Sequence, residues 1–294
     1  MSNIVKNYLR VLEVINSLNC EPMYSSRVGR KSKMSDLEVV ALSLTAEFMS
    51  IDSENSLFHQ VNQAEIPNLI ERSQFNKRRR KLFLFSEKVR TKLTSYFLEF
   101  EDYFIVDSMP LEICKFARHN RIKICNEDFE TAPSKGFCAS QNNWFYGYKL
   151  HGVCSINGIF HSLDITKAEV HDIHFLKNIN GQMADCVLLG DRGYLSESIQ
   201  LDLFQTANIK LETPKRTNQK DYKQQPYIFR KSRKRIETLF SQLCDQFRIR
   251  RNYAKTFEGF KTRILAKITA LTLVQYINKF IFERPINNIK IQII

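Results

Sequence analysis

The sequence lacks the cysteine pairs and the leader segment that mark several classes of protein. Its seven cysteines are scattered, odd in number and never at zinc-finger spacing, so we expect reduced, mostly buried thiols. The amino terminus has no charged segment followed by an apolar core, which a secretory signal requires. The sequence therefore predicts a protein that resides in the cytoplasm.

Long apolar runs are also missing. The most apolar stretch, near Leu271, is interrupted by Gln275, Asn278 and Lys279, whereas a membrane-spanning helix needs about 20 predominantly apolar residues. We expect no insertion into a membrane. With 294 residues and 43% hydrophobic content, the chain can instead bury a substantial core, as one large domain or two modest ones.

Negative charge is scarce. The sequence has 31 acidic residues against 44 Lys and Arg, which gives a formal net charge of +13 and a pI near 9.4. An excess of this size favours a polyanionic partner whose binding depends strongly on salt. Nucleic acid is the first candidate, although ribosomal and membrane-surface proteins are basic too.

Residues 1–100 are predicted to be helical. Apolar residues recur at helical spacing over 4–15, and Ser35 followed by Glu38 resembles a capping box. A third helix is predicted from near Arg72, with a basic run followed by an apolar stripe. The run consists of Lys77, Arg78, Arg79, Arg80 and Lys81. We interpret this region as a DNA-binding module, and a solvated basic helix face is the equal alternative.

Residues 101–294 show alternating strand and helix signals. Apolar runs at 103–106 and 186–189 predict buried strands. Asn157-Gly158 predicts a two-residue type I′ hairpin between two further strands. The polar and basic stretch 115–143 is predicted to be a loop. With a fifth strand predicted at 209–213, the predicted order is β-β-β-α-β-α-β-α.

Three carboxylates stand at informative positions. Asp107 ends the first apolar run, Asp191 follows the second within Gly-Asp-Arg-Gly-Tyr, and Glu237 borders an apolar helical stripe. Burial would raise the pKa of a strand-end carboxyl and neutralise it, whereas a shared divalent cation keeps it ionised. Mg²⁺ prefers such oxygen ligands, and two ions about 4 Å apart promote in-line displacement at phosphorus. Taken alone, Glu237 with Arg233 would be an ordinary surface ion pair.

Five short motifs, in this order, resemble insertion-sequence transposases of the DDE superfamily, nearest to the insertion sequence 982 family. They are Val106-Asp107-Ser108, Gly147-Tyr148-Lys149-Leu150-His151, Ala168-Glu169-Val170-His171-Asp172, Gly190-Asp191-Arg192-Gly193-Tyr194 and Arg235-Ile236-Glu237. The resemblance covers nearly the whole chain. It implies an α/β fold with an RNase H-like mixed five-stranded sheet flanked by helices. A helical N-terminal DNA-binding region at 1–100 would precede a catalytic domain at 101–294 that includes the C-terminal helices.

The resemblance also implies a reaction. Asp107, Asp191 and Glu237 match the DDE triad and would bind two Mg²⁺ ions, for which Mn²⁺ would substitute. The substrate would be double-stranded DNA, both the inverted-repeat ends of a transposon and a target, so the protein would associate with the nucleoid. Cleavage would leave a 3′-hydroxyl that attacks the target strand, and a homodimer would synapse two ends. A metal-dependent DNA nuclease on the same fold and an inactive DNA-binding relic are the alternatives.

The final motif departs from the pattern of related transposases. They place Tyr three residues before Arg, and Lys or Arg seven residues after Glu, where this sequence has Arg230 and Cys244. Arg230, Lys234 or Gln242 are the candidates to replace those contacts. Besides the basic run, the predicted DNA contacts are Lys149, Arg192, Arg230, Arg233, Lys234, Arg250 and Arg251.

Four further residues have an ordinary interpretation beside a functional one. Lys149 is as much a candidate for a sheet-edge lysine as for a phosphate contact. His151 is predicted to be a satisfied core or surface histidine, because magnesium sites rarely use imidazole. Asp172 is predicted to interact with a helix dipole rather than act as a fourth catalytic carboxylate. Trp144 is predicted to pack in the core rather than stack on a base.

Overall fold

A computed structural model describes residues 2–21, 32–99, 101–215, 222, 224–290 and 292–293. Its helices are α1 (Asn3–Ser17), α2 (Asp36–Phe48), α3 (Glu54–Gln60), α4 (Arg72–Lys81), α5 (Phe83–Leu98), α6 (Ile173–Leu176), α7 (Glu197–Ala207), α8 (Tyr227–Asp245) and α9 (Phe257–Phe280). Its strands are β1 (Tyr103–Cys114), β2 (Ser134–Cys138), β3 (Asn143–Ser155), β4 (Phe160–Lys167), β5 (Val187–Leu189) and β6 (Lys210–Glu212). The chain divides into two compact units, Met1–Tyr96 with Gln242–Ile294, and Phe97–Ser241.

The first unit is built around α2 and α9, which are buried along most of their length. α2 packs against both α1 and α9. The C-terminal helix α9, which the sequence analysis grouped with the catalytic domain, therefore packs against an N-terminal helix. The predicted capping box of α2 is confirmed, since the Glu38 N–H donates to Ser35 Oγ and the Ser35 N–H donates to the Glu38 carboxylate.

The predicted third helix is in fact two helices. At Leu82 the backbone leaves the helical range, with φ −91° and ψ 16°, so α4 ends there and α5 begins at the next residue. The basic run occupies α4, and the apolar stripe of α5 is buried at Phe85, Val89 and Leu93 as predicted. None of the helices in the described ranges is long and apolar enough to cross a membrane.

The second unit contains a six-stranded mixed sheet. Strands β2, β3, β1, β5 and β6 are hydrogen-bonded in that order, and β4 pairs with β3. β3 is antiparallel to its three partners, whereas β5 is parallel to both β1 and β6. Val106 and Leu188 of the central strands share a buried core with Leu176 and Leu203 of the flanking helices. The predicted α/β fold is confirmed, with six strands instead of five.

The sixth strand lies in the stretch 115–143, which was predicted to be a loop. β2 has only five residues and begins with Ser134 and Lys135, so no apolar alternation marks it. It pairs with β3, and its central residue, Gly136, lies where a larger side chain would not fit. A Cβ on Gly136 would lie 2.6 Å from the Ala168 carbonyl oxygen. Tertiary packing, rather than local propensity, therefore creates this strand.

The hairpin between β3 and β4 is confirmed, but the predicted turn type is wrong. A type I′ turn requires positive φ at both central residues. Of the Asn157-Gly158 pair, Gly158 alone has positive φ, at 91°. The Gly158 N–H donates to the Ser155 carbonyl at 2.9 Å, and the Ser155 N–H donates to the Ile159 carbonyl at 2.9 Å. The connection is therefore a longer turn in which glycine takes the left-handed position.

Candidate active site

Asp107 lies within β1, and Asp191 follows the end of the adjacent parallel strand β5. In the pairing of β1 with β5, Ile105 is opposite Leu189. Asp107 comes two residues after Ile105, and Asp191 comes two residues after Leu189. Because parallel strands run in the same direction, both carboxylates lie just beyond the carboxyl end of β5, where its pairing with β1 stops. The register of two apolar runs thus creates the acidic pair.

Asp107 is a desolvated carboxyl group. Burial raises its pKa to about 7, the Ser108 N–H opposes that shift, and the negative charge of Asp191 adds to it. Arg233 of α8 lowers the pKa, and Asp172 raises it. The Ser108 N–H donates to Asp107 Oδ1 at 2.8 Å. The structure therefore places two further aspartates and one arginine within electrostatic reach of Asp107.

Asp191 is held by the turn that follows it. Its Oδ1 accepts a hydrogen bond from the Gly193 N–H at 2.8 Å, which caps a short 3₁₀ turn at Arg192–Tyr194. A Cβ on Gly193 would lie 2.9 Å from that same oxygen. Glycine at this position therefore lets the backbone approach the carboxylate closely.

Tyr194 lies within electrostatic reach of Asp107, Asp191 and Asp172 and was not predicted as a functional residue. Its side chain is 1% exposed. Burial raises its pKa well above the ordinary value, and the charges of Asp172, Asp107 and Asp191 add to that shift. Its phenol therefore stays neutral and is a potential hydrogen-bond donor amid three carboxylates. The available signal was its position, three residues after Asp191 in the Gly-Asp-Arg-Gly-Tyr motif.

Asp172 and Lys149 form an ion pair next to the acidic pair. Asp172 Oδ1 lies 3.0 Å from Lys149 Nζ, which also donates to the Val170 carbonyl at 2.9 Å. Asp172 stands at the N-cap of the four-residue α6 but makes no side-chain capping hydrogen bond. The predicted dipole partner therefore acts mainly as the counterion of Lys149. A DNA contact by Lys149 would require this ion pair to open.

His151 lies behind that ion pair and is fully buried. Its Nε2 is 2.8 Å from Thr166 Oγ1, and its ring stacks on Phe175 at a centroid distance of 5.1 Å. Burial lowers its pKa to about 4, which the charge of Asp172 opposes. His151 is therefore a core residue, as predicted, but only its Nε2 is satisfied, because its buried Nδ1 has no hydrogen-bond partner among the described residues.

We expect His151 to make the protein less stable in mild acid. An unfolded histidine takes up a proton near its ordinary pKa of about 6.5, whereas folded His151 remains neutral down to about 4. Between these values the unfolded state binds more protons, so stability falls as pH falls. Melting temperatures of the wild type and His151→Gln, measured from pH 7.5 to 5, check this. A pH profile with the same slope in both proteins would contradict it.

Glu237 belongs to α8, whose apolar stripe Ile236, Leu239 and Phe240 is buried. Phe240 packs against Phe160 of β4 at a centroid distance of 6.1 Å. Glu237 itself is exposed. Within the described residues, no group of three or more Asp, Glu, His or Cys side chains is arranged to hold a metal ion. The structure thus brings Asp107 and Asp191 together without completing a three-carboxylate cluster.

Asp107 and Asp191 nevertheless suit a divalent cation. Both are oxygen donors, and the hydrogen bonds to Ser108 and Gly193 each use Oδ1, which leaves Oδ2 for another ligand. The raised pKa of Asp107 reflects a buried carboxylate near a like charge, and a cation would relieve both effects. The donor set is of the kind that Mg²⁺ prefers.

A basic cavity of about 460 Å³ opens beside Asp191. Its lining includes Arg192, Arg230 and Arg233, together with Lys215 and the ring of Tyr222. Three of the predicted DNA contacts therefore lie around one predicted catalytic carboxylate. Guanidinium groups in such a setting can pair with the phosphates of a DNA strand.

The other predicted DNA contacts are distributed differently. Lys77, Lys81, Lys234, Arg250 and Arg251 are exposed. Arg78 pairs with Asp36 at 2.6 Å, and the buried Arg79 pairs with Glu54 at 3.3 Å. Two of the five residues of the basic run, Arg78 and Arg79, therefore take part in internal ion pairs. Trp144, predicted to lie in the core, is 58% exposed, which corrects that prediction.

The family model of the transposase DDE domain matches residues 99–273. The chain belongs to this family. The matched range contains Asp107, Asp191 and Glu237, and it covers nearly all of the second unit. Neither a curated protein nor a solved structure matches the chain. The mixed sheet with its flanking helices fits the RNase H-like fold of DDE transposases, as the resemblance implied.

Proposed function

We propose that this protein is a DNA transposase that cleaves phosphodiester bonds at transposon ends and joins the 3′-hydroxyl to target DNA. The observation that supports the proposal is the acidic pair: buried Asp107 on β1, and Asp191 two residues after the end of the adjacent parallel strand β5, whose charge acts on Asp107. Family membership supports transposition as the process. The ordered motifs of the sequence further support the insertion sequence 982 family as the nearest relatives.

We propose that Asp107, Asp191 and Glu237 hold Mg²⁺, with Mn²⁺ as a substitute. Bound divalent cations supply activation of the attacking oxygen and neutralise charge at the transferring phosphoryl group. The support for Glu237 comes from helix geometry. Residues four apart lie on one face of a helix, and Arg233, one turn earlier on α8, acts electrostatically on Asp107.

The chain's own residues position the DNA strand. Arg192, Arg230 and Arg233 line the cavity beside Asp191, where they would hold phosphates next to the acidic pair. Arg233 also offsets the negative charge on Asp107. Buried Tyr194 lies amid the carboxylates, and its neutral phenol can donate a hydrogen bond to an oxygen of the substrate or to a carboxylate.

DNA binding by the cavity beside Asp191 can be tested separately. Arg230→Gln should weaken affinity for a short duplex about threefold to tenfold and lower the slope of log K against log salt by about one. Lys231→Gln is the matched control, because Lys231 is also exposed but does not line the cavity. Fluorescence anisotropy across a potassium chloride series provides the measurement. Equal losses in both variants would argue against a specific phosphate contact.

A strand-transfer assay tests the reaction itself. The full chain is incubated with Mg²⁺, a target plasmid and duplexes carrying the inverted repeats that flank the gene, already cleaved to expose a 3′-hydroxyl. We expect covalent joining of duplex to plasmid. Hydrolysis without joining would instead indicate the nuclease, and DNA binding with neither reaction would indicate the inactive relic. The homodimer is tested by mass photometry with paired ends.

A further inference from the structure

The first unit contains a second basic cavity, of about 380 Å³. It is lined by parts of α3 and α4, by residues 253–256 and by the start of α9. Five cationic side chains face it, and they are Arg72, Arg79, Arg80, Lys255 and Arg263. Among the described residues that line it, Glu54 is the one carboxylate. This composition points to an anionic ligand.

Glu54 pairs with only one of these five cations, Arg79. Its two carboxylate oxygens accept hydrogen bonds from Asn76 Nδ2 at 2.9 and 2.8 Å, and its Oε1 lies 3.3 Å from Arg79. Another acid, the buried Glu47, is shared among three cations, since it pairs with Lys267 at 2.5 Å, Arg263 at 3.5 Å and Arg79 at 3.9 Å. Positive charge therefore remains in excess around the cavity.

Two wall arginines are buried and incompletely paired. Arg79 and Arg263 are each 6% exposed. The Nε atoms of Arg79 and Arg80 are buried without a hydrogen-bond partner in the described part of the chain. Buried donors of a charged group are costly unless something accepts their hydrogen bonds. An anion in the cavity would bring negative charge beside the guanidinium groups of Arg79 and Arg80.

The start of α9 adds to the positive potential. Thr256 caps the helix by accepting a hydrogen bond from the Gly259 N–H at 3.2 Å, and both residues line the cavity. The N-terminus of a helix of this length carries partial positive charge. Tyr253, also in the lining, is 64% exposed and offers a flat aromatic surface.

We propose that this cavity binds one nucleotide of a DNA strand, with its phosphate among the arginines and its sugar or base against Tyr253. The volume exceeds that of a single phosphate and lies in the usual range for small ligands. Arginine forks match phosphate oxygens, and aromatic rings stack on bases. The inference rests on the proposed function for the choice of DNA as the source of the phosphate. It adds a DNA-holding site in the first unit.

The test measures DNA binding by the full chain without divalent cations, so a failure of the proposed cleavage chemistry cannot affect it. Lys255→Gln and Arg80→Gln are compared with wild type by fluorescence anisotropy over a potassium chloride series. Lys6→Gln is the matched control, because Lys6 is an exposed cation of the first unit outside the cavity. Each cavity variant should bind about threefold to tenfold more weakly, with a salt slope reduced by about one.

The outcomes separate the possible ligands. The side chain of Lys255 is exposed, so Lys255→Gln should fold and give a normal circular dichroism spectrum. This variant alone can then test the proposal if Arg80→Gln folds poorly. DNA affinities equal to that of Lys6→Gln overturn the proposal. A second arm measures melting temperature with inorganic phosphate against potassium chloride of equal ionic strength. One result of this arm also overturns the proposal. If phosphate stabilises the wild type but not Lys255→Gln, and Lys255→Gln binds DNA as the wild type does, the cavity is assigned to free phosphate.

Discussion

Replacing Asp107 by asparagine should reduce metal-dependent DNA cleavage by at least about a thousandfold. Asparagine keeps the shape of the side chain and can still accept the hydrogen bond from the Ser108 N–H, but it carries no charge with which to hold a cation. Affinity for DNA should stay within about twofold, because the cavity arginines are unchanged. Single-turnover cleavage of a labelled inverted-repeat duplex, beside a binding curve, checks both statements.

Asp164→Asn is the matched control for this variant. Asp164 lies on β4 of the same sheet, burial raises its pKa, and its Oδ1 accepts a backbone hydrogen bond from the Ile165 N–H at 2.7 Å. It is not among the charges that act on Asp107. We expect its cleavage rate to stay within about threefold of wild type. Equal losses in the two variants would mean that damage to the sheet, not the lost ligand, stops the reaction.

The same cleavage assay can decide which residue supplies the third carboxylate of the site. Sequence order favours Glu237, whereas the structure places Asp172 nearer in electrostatic terms to Asp107. Because Asp172 already pairs with Lys149 at 3.0 Å, we expect Asp172→Asn to slow cleavage only modestly. Glu237→Gln should instead lower the rate as far as Asp107→Asn does. The reverse ranking would assign the metal to Asp172.

The sequence could predict the acidic pair because the signals were local. Two apolar runs, each followed by an aspartate within two residues, imply neighbouring buried strands, and the register of Ile105 with Leu189 then brings the two aspartates close together. Strand β2 could not be predicted in this way. Its five residues have no apolar periodicity, and contacts distant in the chain, such as Gly136 against Ala168, determine its conformation.

The basic residues show a second limit of sequence reasoning. A run of five cations predicts a surface, but burial depends on tertiary partners that spacing does not reveal. Arg79 pairs with Glu54 and is buried, whereas its neighbour Lys81 is exposed. Lys149 likewise contacts Asp172, a partner 23 residues away in the sequence. A substitution at Arg79 would therefore disturb folding as well as any contact with DNA.

Lys267→Met should destabilise the first unit by about 3 to 5 kcal/mol, the usual cost of breaking a buried ion pair. Lys267 is 1% exposed, and its Nζ lies 2.5 Å from Glu47 Oε2 and 2.6 Å from the Phe247 carbonyl oxygen. Methionine matches the volume but donates no hydrogen bond, so a buried carboxylate and a buried carbonyl lose their closest donor. Urea unfolding followed by circular dichroism measures the loss.

Lys261→Met, on the same helix, separates this effect from the loss of any lysine. Lys261 pairs with Glu258 at 2.6 Å in an i,i+3 arrangement near the surface, and such pairs contribute less than about 1 kcal/mol.

Burial raises the pKa of Glu47, but the charges of Lys267, Arg263 and Arg79 outweigh it and leave a lowered pKa. A carboxylate whose folded pKa is lowered stabilises the protein above its unfolded pKa, and the effect is lost as pH falls. Lys267→Met should therefore lose its stability at a higher pH than wild type does, whereas Lys261→Met should follow the wild-type pH profile. Identical acid profiles in all three proteins would show that Glu47 does not depend on Lys267 for its charge.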